Sequence, residues 1–561
     1  MQVTKKRYIT TIAVALIALV AALVGYIGGV NKGKAIFKQE LSQQTEKIHS
    51  LEETLGLSNG MMQNMVLGNK LLQTCLMLER NYIEPISLDS LSERVIPLLI
   101  QELDPHSTYI PKQEVEAYNE PLEAEFDGIG VVFNASTDTV TVLNVVRKGP
   151  SEKAGIKAGD RILEVNDTVI SGVKMPQERI MKNLRGKRGT VARLKVKRQQ
   201  VEEPMFFDVI RDAIPLESVG SAFMIDSKAQ IGFIHLSQFS MSSYREVKRA
   251  IDELRGQGAK KLIIDLRSNS GGFLDQAILI ANEFLPKDKL IVYTTGRDEE
   301  EQLRQYSDGR GSATDMQVVI LLDEQSASAS EIVAGALQDN DQGTIIGRRS
   351  FGKGLVQEQV MYNDGSALRL TVAKYHTPTG RCIQRPFERG NNLEYHLDIL
   401  HRYENNEFFT LDSLHFADSL RYTTPKGRVV YGGGGIVPDK FVPLDTTYVS
   451  DYFTEVSVRN ILYQYTLDYT DRHRQELDQI TTLSEMEQFF KADKQLISNF
   501  YTYAARKGVA PKTSDIAKSK AVIEAQIKAY IARNTQLEDD AFYYFIAPID
   551  DTLQAALREL R

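Results

Sequence analysis

The spacing of apolar residues changes several times along this chain, and each change marks a region. From Tyr8 to Val30 the residues are nearly all apolar and uncharged. At ~1.5 Å per residue that run is long enough to cross the ~30 Å hydrocarbon layer of a bilayer. Lys5, Lys6 and Arg7 precede it, which by the positive-inside rule keeps the amino terminus cytoplasmic and exports the remainder. A cleaved signal peptide would have a shorter apolar run ending in a small-x-small site, so residues 1–33 are read as a cytoplasmic N-terminus and an uncleaved transmembrane anchor. From Lys34 to about Gly60 the chain is polar, with Phe37, Leu41, Ile48, Leu51 and Leu55 recurring along it, a narrow seam at helical spacing. The seam fits a short coiled coil or stalk, and equally a helix packed on its own protein. Residues 69 to 118 predict further helices, interrupted at Leu103–Pro111, LDPHSTYIP, where Pro and Ser argue for a turn. Residues 34–118 thus form a helical stalk and N-terminal helical region, and His106 in the turn is read as structural.

The period shortens at Glu125. EFDGIGVVF, TVTVLNVV, DRILEVNDTVI and TVARLKVKR read as strands around two short helices, SEKAGI being one. This fits a small, partly open barrel over residues 119–203. Gly128, Ile129, Gly130 and Val131 lead straight into a strand, and such a loop can point backbone N–H groups at a peptide carboxylate while the adjacent edge accepts the peptide as an extra strand. With GPSEKAGIKAGDRILEVND following, the segment resembles a PDZ domain.

From 204 to 445 strands and helices alternate, the mark of an α/β core around a largely buried sheet. IGFIHLSQF, KLIIDL and VVILLD read as strands, SSYREVKRAIDELRGQG and QAILIANEFL as helices. Residues 446–561 are helical and polar and carry no chemical constellation.

Composition narrows the picture. At 561 residues the chain exceeds one ordinary core. Its formal charge of -7, with Lys and Arg spread along the sequence, leaves no footprint for nucleic acid. Cys75 and Cys382, the two cysteines, have neither zinc-site nor disulfide spacing, and no metal site is expected.

The candidate chemistry lies in Asp323–Ile332, DEQSASASEI, where a buried strand feeds a helix. Ser328-Ala-Ser-Glu331 is a capping box. The same place suits a nucleophile, because first-turn N–H groups lack helical partners and can stabilise an oxyanion beside a serine hydroxyl. No GxSxG elbow is present, and His235 and His376, isolated in strand-like settings, are weak candidates for a base. Lys353 in SFGKGLVQ is a better one. It stands between Gly352 and Gly354 beside Phe351, Leu355 and Val356, which can exclude water, and a lysine base must titrate well below the ordinary value of about 10.4. Gln357, four residues on and on the same side of a strand, can hold the amine without adding charge.

LDPHSTYI, the PDZ signature, IGFIHLSQF, DLRSNSGG, SASASEIVAGALQD, GRRSFGKGLVQ and GGGGIVPD occur in this order between about residues 70 and 442. The ordered set resembles the carboxy-terminal processing peptidases, or tail-specific proteases, serine peptidases with a Ser-Lys pair and an inserted PDZ domain. The resemblance implies a multidomain α/β protein with a crotonase-like or ClpP-like peptidase core, no cofactor, Ser328 as nucleophile, Lys353 as base, Gln357 orienting it, and oxyanion donors from the N–H of Ala329 and of Gly271 or Gly272. Ser270 departs from the usual residue before the glycine pair, which matters little for a backbone donor. It further implies protein substrates bound by their C-termini at the PDZ domain, which gates the site, a bacterial inner-membrane location with the catalytic part in the periplasm, and room for an adaptor protein. The seam at 37–55 and the helical tail permit a homodimer. The alternatives are a catalytically silent PDZ scaffold and a peptidase-fold protein that binds hydrophobic ligands.

Overall fold

A computed structural model describes residues 70–561 apart from residues 124, 136–137, 200, 298–300 and 415–416. The apolar run at 8–30 and the seam at 37–55 lie outside the described residues. Among the described residues no helix is long and apolar enough to cross a membrane. The chain divides into two compact units, residues 1–100 and 101–561. In the first, the described elements are the helices Lys70–Asn81 and Leu88–Gln101, the latter running one residue past the division.

The second unit is multidomain α/β. Its centre is a six-stranded sheet in the order Val219–Asp226, Ile231–Leu236, Lys261–Asp265, Gln317–Leu322, Gly343–Gly347, Lys440–Phe441. The first pair is antiparallel and every other pairing parallel. Near-continuous apolar strands are what burial of both faces requires, and the two-residue repeat sends alternate side chains to opposite faces. Leu262, Ile264, Val318, Ile320, Leu322 and Ile345 join a core beneath the helices Ser243–Gly256, Leu274–Asn282 and Ala329–Asp339. Ile263, Val319, Leu321 and Ile346 face the other way, onto the last helix, Asp551–Leu560.

A second sheet joins Thr108–Ile110, Ala367–His376, Leu290–Thr295 and Glu301–Tyr306, with Leu355–Met361 paired to Ala367–His376. The LDPHSTYIP segment, read from sequence as a turn, therefore contributes a strand. Three residues are too few for a period-two pattern, and the partner, with Thr108 opposite Arg369, is remote in sequence.

The segment that resembles a PDZ domain has its own six-stranded sheet, from Val131–Asn134 to Met205–Ile210, two helices, Pro150–Ala154 and Gln177–Leu184, and its own core around Val142, Ile162 and Leu194. A ribbon of Glu125–Gly128 against Asp212–Pro215 carries the chain in and out. The helical C-terminal region packs around Tyr465, Phe500 and Ile527. It meets the PDZ domain through an Arg161 to Asp471 ion pair and an Asn144 to Glu538 hydrogen bond.

Candidate active site

The strand Gln317–Leu322 ends in a turn whose three serines have different fates. The Ser326 hydroxyl donates to Leu266 O at 2.8 Å, and that of Ser330 to Asn269 O at 2.9 Å. Both serines are fully buried, whereas Ser328 is half-buried. Ser328 opens the helix Ala329–Asp339 with φ 56° and ψ -113°, not the extended backbone of an ordinary N-cap. Such strain costs on the order of 1–3 kcal/mol and persists only where surrounding structure enforces it.

The enforcement comes from two neighbouring loops. Asn269, fully buried, accepts the Ala327 N–H on its carbonyl at 3.0 Å, and its side-chain amide donates to Leu236 O at 2.7 Å. Its Oδ1 accepts the Gly271 N–H at 2.9 Å. A Cβ on Gly271 would lie 2.7 Å from the Ser328 Cβ, and one on Gly272 would lie 2.1 Å from Phe239 O, so only glycine lets this loop approach the serine. Among the described residues the N–H groups of Gly272 and of Ala329, the first residue of its helix, have no acceptor in the protein.

The second loop is Ser350–Gly354. The fully buried Glu331 carboxylate gathers four donors: Ser328 N at 2.8 Å and Lys353 N at 2.9 Å on one oxygen, Gly352 N at 2.7 Å and the Ser350 hydroxyl at 2.5 Å on the other. Burial pushes this carboxyl above its ordinary range and the hydrogen bonds oppose it; four donors around two oxygens suit the ionised form. One carboxylate thus binds the serine turn to the lysine turn. Phe351 N donates to Ser326 O at 2.9 Å, and the Tyr375 hydroxyl donates to Lys353 O at 2.6 Å with Ser328 O 3.1 Å away. Ile436 N, from the GGGGIVPD motif, donates to the Ser350 hydroxyl at 2.7 Å and fixes the far side of the lysine turn.

Lys353 Nζ donates to Gln357 Oε1 at 3.1 Å, and Gln357 Nε2 donates to His106 O at 2.6 Å, so the amide can present only its oxygen to the amine. Lys353 lies in the turn before the strand Leu355–Met361. A shared strand face therefore does not bring the two side chains together; the bend between them does. Burial, then the charge of Arg369, lowers the Lys353 pKa, against Glu331 and Asp104. Ser328, Lys353, Gln357, Gly271 and Gly272 all line one cleft of about 880 Å³, with Ile278, Ile332, Leu355 and Val356 as apolar wall.

His106 is half-buried, its ring 2.7 Å from the Tyr395 hydroxyl, and its pKa is lowered to about 3 by burial first and Lys353 second. It acts through its carbonyl. His235 packs against Tyr543, and His376 stacks on Tyr293 with Thr295 Oγ1 3.0 Å away; neither borders the cleft. Gly128, Ile129, Gly130 and Val131 also lie outside its lining. Ile129 and Gly130 close the loop by accepting Ser151 N and Val146 N, and Val131–Asn134 pairs on one side only, with Val140–Val145. The helix Val115–Glu123 links the two places. Asn119, Leu122 and Glu123 line the cleft, while Glu120 pairs with Arg185 at the end of the PDZ helix at 2.6 Å.

Asn269, Tyr375 and the bridging role of Glu331 escaped the sequence. Glu331 was visible only as the end of a capping box, and nothing local marks Tyr375. Among the described residues no cluster of His, Cys, Asp or Glu could hold a metal ion.

A half-exposed serine in a strained strand-to-helix turn, free amides beside it and a desolvated lysine in the same cleft make up the layout of serine-hydrolase chemistry. Residues 230–389 match the model of peptidase family S41, residues 128–205 that of the PDZ domain, and residues 452–536 that of a family of unknown function. The chain therefore carries a peptidase family S41 domain and a PDZ domain. It is similar to a probable CtpA-like serine protease of Staphylococcus epidermidis, 34% identical over 307 residues that make up 54% of this chain and 61% of the relative. A probable CtpA-like serine protease of Staphylococcus aureus is 34% identical over 316 residues, 56% of this chain and 62% of the relative. The match thus spans less than two thirds of these relatives. Among solved structures, a photosystem II D1 C-terminal processing protease is 25% identical with a TM-score of 0.32, covering 56% of this chain and 89% of its own. A PDZ domain of a carboxy-terminal protease from Vibrio cholerae, solved with a peptide, is 24% identical with a TM-score of 0.15 and covers 16% of this chain and 99% of its own.

Proposed function

We propose that this protein is a serine endopeptidase of the carboxy-terminal processing type. The observation that carries the reading is the bond from Lys353 Nζ to Gln357 Oε1 in the cleft that holds Ser328, with Glu331 tying both turns together. Neutral Lys353 takes the Ser328 proton, and Oγ attacks the scissile carbonyl. The tetrahedral oxyanion is received by the N–H of Ala329 and of Gly272, since that of Gly271 is already given to Asn269. The lysine then returns its proton to the leaving amine, and a water molecule releases the acyl group by the reverse route. The free edge of Val131–Asn134 and the loop Gly128–Val131 receive the substrate's C-terminus, and the helix carrying Glu120 and Asn119 passes PDZ occupancy to the cleft. The apolar run at 8–30 anchors the protein in the inner membrane with its catalytic part in the periplasm, where exported proteins are the substrates.

The test is hydrolysis of an unfolded protein by the full chain, with Ser328→Ala and Lys353→Ala alongside. Each variant is expected to lose about 10³-fold or more in kcat. Full activity in either would sink the assignment and favour a PDZ scaffold.

A further inference from the structure

The wall formed by Lys353 and Gln357 is completed by Arg369, whose charge helps to lower the Lys353 pKa and which otherwise has no part in the chemistry above. Arg369 stands on Ala367–His376 opposite Gln359, and Gln357 stands opposite Thr371. By the two-residue repeat all four share one sheet face. Arg369 lines the Ser328 cleft and also a polar cavity of about 550 Å³ behind it, bordered by Asp104, His106 and His396. Its Nη2 donates to Gln359 Oε1 at 2.9 Å and Asn119 Oδ1 at 3.4 Å, and the group lies 5.4 Å over the Tyr118 ring. These partners are neutral. Arg185, Arg349 and Arg381 each have a carboxylate, whereas among the described residues Arg369 has none and its Nε and Nη1 donors are unused. A half-buried guanidinium with spare donors, whose affinity for its proton burial already lowers, gains most from an anion. The aliphatic residues that line the same cleft, Ile278, Ile332, Leu355 and Val356, suit a peptide beside this guanidinium.

We propose that Arg369 recognises a carboxylate of the peptide lying across Ser328, either an acidic side chain near the scissile bond or the substrate's own terminal carboxylate. The proposal rests on the reading of this cleft as a peptidase site.

A peptide with a mapped cleavage site is made with Glu or Gln at each of three positions on either side of the scissile bond, and with a free or amidated C-terminus. The full chain, Arg369→Gln and Arg369→Lys are assayed on each pair, and only the ratio of kcat/KM within one enzyme is compared, so that overall rate changes cancel. A preference of about tenfold is expected for Glu at one position, or for the free C-terminus, as one charge-assisted pair provides. It should fall to about one in Arg369→Gln and return in part in Arg369→Lys. The position or terminus that responds identifies the source of the carboxylate. Absence of any preference that falls in Arg369→Gln overturns the proposal, a free-terminus preference that survives the substitution being the PDZ loop's own. Should Arg369→Gln lose all turnover, the same pairs are compared by binding, in the Ser328→Ala chain with and without the second substitution. Lys353→Ala separates the two readings: it should abolish turnover of every peptide whatever the ratio, and persistent turnover would remove the Ser-Lys reading alone.

Discussion

Among the described residues, the cleft around Ser328 and the loop at Gly128–Val131 both hold backbone N–H groups with no acceptor in the protein, yet they are finished differently. In the cleft, buried and half-buried groups fix every turn: the Glu331 carboxylate spans the serine and lysine loops, the Asn269 carbonyl holds the serine loop while its side chain holds the glycine loop, and Gln357 joins the lysine to the His106 carbonyl. At the PDZ loop the structure offers one free strand edge with Val132 exposed, to which an added strand would bring the missing hydrogen bonds. Reaction geometry tolerates little displacement and is built in advance, whereas a site that adds a strand draws its order from the peptide.

The sharpest way to break this contrast is Glu331→Ala. It strands four buried donors, and each is costly when unmet. The expected loss is about 3–5 kcal/mol of stability together with nearly all hydrolysis, read from urea midpoints and turnover; a variant folded and active would show that the cleft does not depend on this bridge.

Acid comes next. His106 holds its proton less tightly in the fold, at about 3, than in an unfolded chain, at about 6.5. Its contribution to stability is therefore fully present above about pH 6.5 and is lost as pH falls towards 3. Between pH 6.5 and 4.5 the unaltered protein should lose up to about 2 kcal/mol from this group, and His106→Gln should flatten that slope. Parallel slopes in the two proteins would count against the half-buried neutral ring. Asp104, Arg385, His396 and Lys353 surround it and shape the remainder of the curve.

The smallest effect belongs to the PDZ loop. Gly130 has φ 71°, and an added Cβ would meet Ile214 Cδ1 at 3.0 Å. Gly130→Val should weaken binding of a C-terminal peptide several-fold and slow long substrates more than short ones. Equal slowing of both would erase the distinction between the two sites.

Much of the architecture was legible in advance. The strands at 261–265 and 317–322 are short apolar runs buried on both faces, and the helices at 243–256 and 274–282 follow from their periodicity and end signals. Ser328, Lys353 and Gln357 could be named because their motifs occur in a known order. The pattern alone did not rank three serines spaced two apart, and the strand Thr108–Ile110 was too short to register.

Local spacing and side-chain type were enough to mark most of the elements, their order and the residues able to do chemistry. Only the tertiary structure decided that Ser326 and Ser330 are spent on neighbouring carbonyls while Ser328 faces the cleft, that Gly271 has given its N–H to Asn269 while Gly272 has not, and that Glu331 draws two loops onto one carboxylate. Each of these is a question of which partner reaches a buried donor first. Partners distant in the chain meet only after the sheet has formed.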